Sequence, residues 1–238
     1  MRPLLIIGLL ALPLGAAAKQ TPLLDYVEVV TGGAAKDARL PLVIAVHGLG
    51  DRPEAFVRLF ERLPLPARVV APRGKRPWGR GHTWFALARE EGRDRAVDMR
   101  DSANRLAHLA ATLRVSRPTV GKPVITGFSQ GGMLSFLACA EHPEQFAACV
   151  PVAGLLPSAM QPKARQPKTK HPSAPPVFAL HGAADDRLPV AGARATVRAF
   201  KAAGRPAELT EFPKVRHRIP RAVRRALFDT LARVLPTP

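Results

Sequence analysis

Short apolar runs recur along the chain and alternate with stretches of helical spacing. Leu40 to Val46 and Val124 to Phe128 lack the polar alternation of a half-solvated strand. Such strands need cover on both faces, as in a largely parallel sheet packed between helices. Tyr26 to Thr31 alternates as a strand and is followed by a Gly32-Gly33 turn, while Val69 to Ala71, Ala147 to Val152, Val177 to Leu180 and Glu208 to Phe212 supply further strands. Helical spacing begins at Pro53 with Ala55, Phe56, Leu59, Phe60 and Leu63, and recurs over Gly131 to Cys139, Val190 to Ala203 and Arg221 to Leu235. A long surface helix is expected over Arg93 to Ser116, with Val97, Leu106, Leu109 and Leu113 on its apolar side. The fold class is therefore α/β, with a mostly parallel central sheet and helices on both faces. Pro157 to Pro176 holds six prolines and several basic residues and must be a loop.

The first residues have a different logic. Arg2, the apolar stretch Leu4 to Leu14 and Ala16-Ala17-Ala18 match the three zones of a cleavable export signal, giving a mature start at Lys19. The stretch is shorter than the roughly 20 apolar residues of a spanning helix. Residues 19–238 are then one domain, large enough to bury a core without metal or disulfide staples. In an oxidising compartment Cys139 and Cys149 fit either a disulfide or two buried thiols. Lysine and arginine total 36 against 18 acids, for a net charge of +18. That excess is spread along the chain and suits weak contact with a polyanion or an anionic membrane surface, without pointing to a specific nucleic acid.

Gly127-Phe128-Ser129-Gln130-Gly131 lies between an apolar strand and an apolar helix. A serine on such a turn is presented as a nucleophile, and its small neighbours relieve a crowded backbone. The amide of Gln130, in the first helical turn, has no intrahelical partner and can donate to an oxyanion. His47-Gly48-Leu49-Gly50-Asp51 follows the earlier buried strand, and the Leu49 amide is the second candidate donor. A serine needs a base and an orienting carboxylate, in chain order Ser, Asp or Glu, His. His217 lies between the last strand and the last helix. Asp185 follows the Val177 to Leu180 strand, with Asp186 left as a partner for Arg187 or a solvated charge. Trp84 and Phe85 are candidates to line an acyl pocket. No metal or other cofactor is required by this chemistry.

These residues resemble the carboxylesterase, lysophospholipase and acyl-protein thioesterase group of the α/β-hydrolases. The likeness runs from about Leu40 to the C-terminus, through His47-Gly48-Leu49-Gly50-Asp51, Ala71-Pro72 followed by Trp84-Phe85, the Gly-Phe-Ser-Gln-Gly elbow, and His181-Gly182 leading to Asp185 and Pro189. It implies the α/β-hydrolase fold and a triad of Ser129, Asp185 and His217, with the Leu49 amide in the oxyanion hole. Small or lipid-like carboxylic esters are the implied substrates, cleaved through an acyl-enzyme; the same triad also serves thioesterases and peptidases. Two departures bear on substrate. Arg216 and Arg218 flank His217 where such proteins commonly carry glycine or a small residue before the histidine, which offers a site for an anionic substrate group, and Arg73 to Arg80 is unusually basic. Export argues against a cytosolic thioesterase role, and no long lid insertion suggests a true lipase. The rival from a different class is a basic binding protein on the same scaffold, with a misaligned triad.

Overall fold

The computed structural model describes residues 23–86, 94–164 and 174–237. Nine strands occur among them: β1 (Tyr26–Val30), β2 (Leu42–Val46), β3 (Arg68–Pro72), β4 (Arg76–Trp78), β5 (Gly81–Thr83), β6 (Val124–Phe128), β7 (Ala148–Val152), β8 (Val177–Gly182) and β9 (Ala207–Phe212). Seven form one sheet in the order β1-β3-β2-β6-β7-β8-β9, and β4 and β5 form a separate hairpin. All neighbours in the large sheet run parallel except β1, which is antiparallel to β3 at one edge. The chain leaves β2 toward β3 on one side and resumes at β6 on the other. The loops after β2 and β6 therefore diverge and open a crevice at the carboxyl ends of the strands, where open α/β sheets bind ligands.

Successive residues of a strand point to opposite faces, so a continuous apolar run feeds two cores. Leu42, Ile44 and Val46 join one core with Met99, Leu106 and Phe136, whereas Val43 and Ala45 join the other with Phe60, Val223 and Leu227. The first face is covered by α2 (Arg95–Ser116), α3 (Gln130–Glu141) and α4 (Val190–Ala202), and the second by α1 (Pro53–Phe56) and α5 (Arg221–Val234). Burying each Leu, Ile or Val side chain of this kind contributes about 1.5–3 kcal/mol. Every residue of β2 and β3 is buried. The doubly covered parallel sheet expected from the apolar runs is thus present.

Some local expectations change. Val97 is 61% exposed rather than on the apolar side of α2. Nine residues separate it from Leu106, about two and a half helical turns, which puts the two on opposite sides; Met99, Ala103, Leu106, Ala110 and Leu113 form the buried stripe. The segment from Pro53 makes a single α turn and then a 3-10 turn over Val57–Leu59, not one long helix. Arg76 to Thr83 is a hairpin turning at Gly79, whose φ of 56° suits glycine. Cys139 at the end of α3 and Cys149 in β7 are disulfide-bonded. The expected export signal at 1–18, and residues 165–173 of the proline-rich loop, lie outside the described residues. Among the described residues, no helix is long and apolar enough to cross a membrane.

Candidate active site

Ser129 ends β6 and opens α3 with φ 56° and ψ −114°, a conformation that L-residues rarely adopt. Strain of this kind costs about 1–3 kcal/mol and persists only where the surroundings enforce it. Here the Ser129 amide donates to the Val152 carbonyl of β7 at 3.0 Å and its carbonyl accepts from Met133 at 2.9 Å. A Cβ at Gly127 would lie 2.6 Å from the backbone of Gly131 and Val46, and one at Gly131 would lie 1.9 Å from the Val46 carbonyl oxygen. The two glycines are steric requirements of the elbow.

The loop after β9 brings His217 to that serine. Its Nε2 is 2.9 Å from Ser129 Oγ, and its Nδ1 is 2.7 Å from Asp185 Oδ2. The Asp185 side chain is fully buried and His217 nearly so. A buried carboxylate must be hydrogen-bonded, and the Asp185 Oδ1 accepts the Arg187 and Leu188 amides at 3.0 and 2.8 Å. The His181 Nε2 lies 3.5 Å from Asp185 Oδ2 and 2.8 Å from the Leu188 carbonyl, bracing the same loop. Phe128 stacks against the His217 ring at 4.9 Å between centroids. Gly182 admits the 215–216 backbone, since a Cβ there would meet the Val215 oxygen at 2.3 Å. Ser129, His217 and Asp185 thus form one hydrogen-bonded chain, able to take a proton from the serine and to hold the imidazole tautomer.

His47 opens the loop after β2 and is fully buried. Its Nε2 accepts from the Gly74 amide at 3.1 Å, so Nδ1 carries the proton and donates to the Gly48 carbonyl at 2.7 Å. Burial, the dominant influence, pushes its pKa below the ordinary histidine value. This neutral ring fixes the turn that presents Leu49. The β4-β5 hairpin holds the turn from the other side, through Gly50 N to His82 O at 2.8 Å and His82 N to Asp51 O at 3.0 Å.

A cavity of about 490 Å³ opens over Ser129, and Leu49, Gln130, Phe85 and His217 all line it. Trp84 does not line it. Its side chain is fully buried behind the site, its indole N–H donates to the His47 carbonyl at 3.0 Å, and its amide donates to Gln130 Oε1 at 3.1 Å. The Gln130 side chain also accepts from Thr83 Oγ1 and donates to the Phe85 carbonyl, so the elbow helix grips the 83–85 segment. Arg216 points away from the anion-binding role its position suggested: it pairs with exposed Asp186, which lowers the Asp186 pKa through that hydrogen bond. Sequence reasoning left Arg95 and Met133 unremarked, yet both line the cavity; only packing distinguishes Arg95 from its many basic neighbours.

Residues 25–232 match the family model described as Phospholipase/Carboxylesterase. The chain belongs to that family. Structures similar to this phospholipase/carboxylesterase-family protein include esterase PE8, at 26% identity and TM-score 0.72, covering 90% of this chain and 100% of that one. Zea mays acyl-protein thioesterase 2 shares 22% identity with TM-score 0.71 over 89% of this chain and 99% of that one. Bacillus cereus carboxylesterase shares 16% with TM-score 0.71 over 89% and 95%. Among curated proteins none matches significantly. The family membership makes this chain a hydrolase of esterase or thioesterase type, with the α/β-hydrolase fold.

Proposed function

We propose that this protein is an exported serine hydrolase that cleaves carboxylic esters through an acyl-enzyme on Ser129. The observation that carries the reading is the hydrogen-bonded chain from Ser129 through His217 to Asp185, at 2.9 and 2.7 Å, on the wall of the cavity. Ser129 Oγ attacks the ester carbonyl carbon as His217 Nε2 takes its proton, and Asp185 stabilises the resulting imidazolium. The Leu49 and Gln130 amides hold the tetrahedral oxyanion. Collapse breaks the carbon–alkoxide bond, and the alcohol leaves with the proton from Nε2. Water, deprotonated by the same nitrogen, then attacks the acyl carbon; the second tetrahedral intermediate expels the acid and Ser129 recovers its proton.

Export is supported by the three-zone segment at 1–18 and by the Cys139–Cys149 disulfide, a bond at home in oxidising compartments. Turnover of para-nitrophenyl acetate and butyrate by protein beginning at Lys19 tests the catalytic reading. Replacing Ser129 by Ala is expected to lower kcat by at least about a thousandfold. An unchanged rate in the Ser129→Ala protein would contradict it.

A further inference from the structure

Arg95, at the first position of α2, lines the Ser129 cavity without a carboxylate partner among the described residues. Its guanidinium lies over the Phe85 ring, 5.3 Å from the centroid, and Nη2 reaches the Met133 thioether at 3.9 Å, a weak acceptor. The Nε is buried with no hydrogen-bond partner among the described residues. Of the described acids nearby, Asp94 Oδ1 accepts the Ala96 and Val97 amides as the helix cap, and Asp98 faces Arg76 at 3.6 Å. Asp51 also lines the cavity, and its Oδ1 accepts the Arg52 amide at 2.8 Å. Exposed Arg187 adds a second guanidinium to the wall, on the loop whose amides hold Asp185. A buried donor without a partner is costly. Phe85 also holds the planar fork ready for a planar anion.

We propose that the substrates of this enzyme carry a carboxylate, on the acyl or the alcohol side, that pairs with Arg95 inside the Ser129 cavity. This rests on the hydrolase reading above and assigns it a substrate class. Phe85 and Met133 would flank the connecting carbons, and the guanidinium would meet the charge. A half-ester of a short dicarboxylic acid is the simplest occupant.

Two matched pairs of esters test the charge and its side. Para-nitrophenyl hemiglutarate is compared with para-nitrophenyl pentanoate for an acyl-side charge, and meta-carboxyphenyl acetate with phenyl acetate for a leaving-group charge. In wild type, kcat/KM is expected to favour the anionic member of one pair. Arg95→Met is expected to lower that anionic-to-neutral ratio by about tenfold to a hundredfold, the worth of a charge-assisted pair, with Arg95→Lys intermediate. A ratio at or below one in both pairs, or a preference untouched by Arg95→Met, overturns the anion subsite. Turnover of neutral esters alongside that result leaves the hydrolase reading standing, whereas no turnover of any ester and no labelling of Ser129 by a fluorophosphonate overturns both.

Discussion

Gly131, in the first turn of α3, approaches Val46 of β2 so closely that a Cβ would lie 1.9 Å from the Val46 carbonyl oxygen. Alanine ordinarily stabilises a helix relative to glycine by about 1 kcal/mol. At this position the sign reverses, because the obstructing atom belongs to the backbone of a fully buried strand. Gly131→Ala is expected to destabilise the protein by about 1–3 kcal/mol or more, as overpacking does, measured as a lower urea midpoint. A stabilised variant would contradict the backbone contact.

Asp185 and Asp186 are adjacent but differ in setting. Asp185 is buried against His217 Nδ1, while Asp186 is exposed and paired with Arg216. Asp185→Asn is expected to lower kcat on para-nitrophenyl acetate by about a thousandfold to ten-thousandfold, the consequence of a wrong imidazole tautomer. Asp186→Asn is expected to change kcat/KM by less than about threefold, since exposed pairs contribute little. Equal effects of the two substitutions would contradict the assignment.

Much of this arrangement was legible in the sequence because it is written locally. Ser129 sits between an apolar strand and an apolar helix, and Asp185 and His217 each follow a strand, so chain order and element boundaries sufficed. The two faces of β2 were legible for the same reason. Trp84 and Arg95 were not. An aromatic next to Phe85 reads equally as pocket lining or core, and only the hydrogen bonds to His47 and Gln130 place Trp84 behind the wall. Arg95 lies in a run of alternating charges, and its lack of a carboxylate partner among the described residues appears only when Asp94 and Asp98 are seen to be engaged elsewhere. The β4-β5 hairpin was obscured by its basic residues, although Gly79 is the signal a tight turn leaves. Val97 was misplaced because its distance from Leu106 amounts to a half-integral number of helical turns.

His47 gives the fold an acid sensitivity of definite sign. Its folded pKa is below the unfolded value of about 6.5, because burial disfavours the cation. The unfolded chain therefore binds the proton more readily, and the contribution of neutral His47 is fully present above that value and is lost as pH falls toward the folded pKa. Gln at this position can still accept from the Gly74 amide but does not titrate. His47→Gln is expected to flatten the decline of the urea midpoint below about pH 6.5; an unchanged slope would contradict this role.

The Cys139–Cys149 bond closes a loop with a sequence separation of 10, joining the end of the elbow helix to β7. Loop-closure entropy for that length corresponds to about 2–3 kcal/mol. Thiol titration of the unreduced, denatured protein is expected to find no free thiol, and the Cys139→Ala, Cys149→Ala double variant should lose stability of that size. Two titratable thiols in protein recovered from an oxidising compartment would contradict the bond.

The chemistry assigned to Ser129 is tested most directly by fluorophosphonate labelling of the protein beginning at Lys19, with the adduct located by mass spectrometry. The arrangement of Ser129, His217 and Asp185 predicts one phosphonyl group on Ser129, absent from Ser129→Ala and greatly slowed in His217→Ala. Folded protein that takes no label at Ser129, or labels at the same rate without His217, would contradict it.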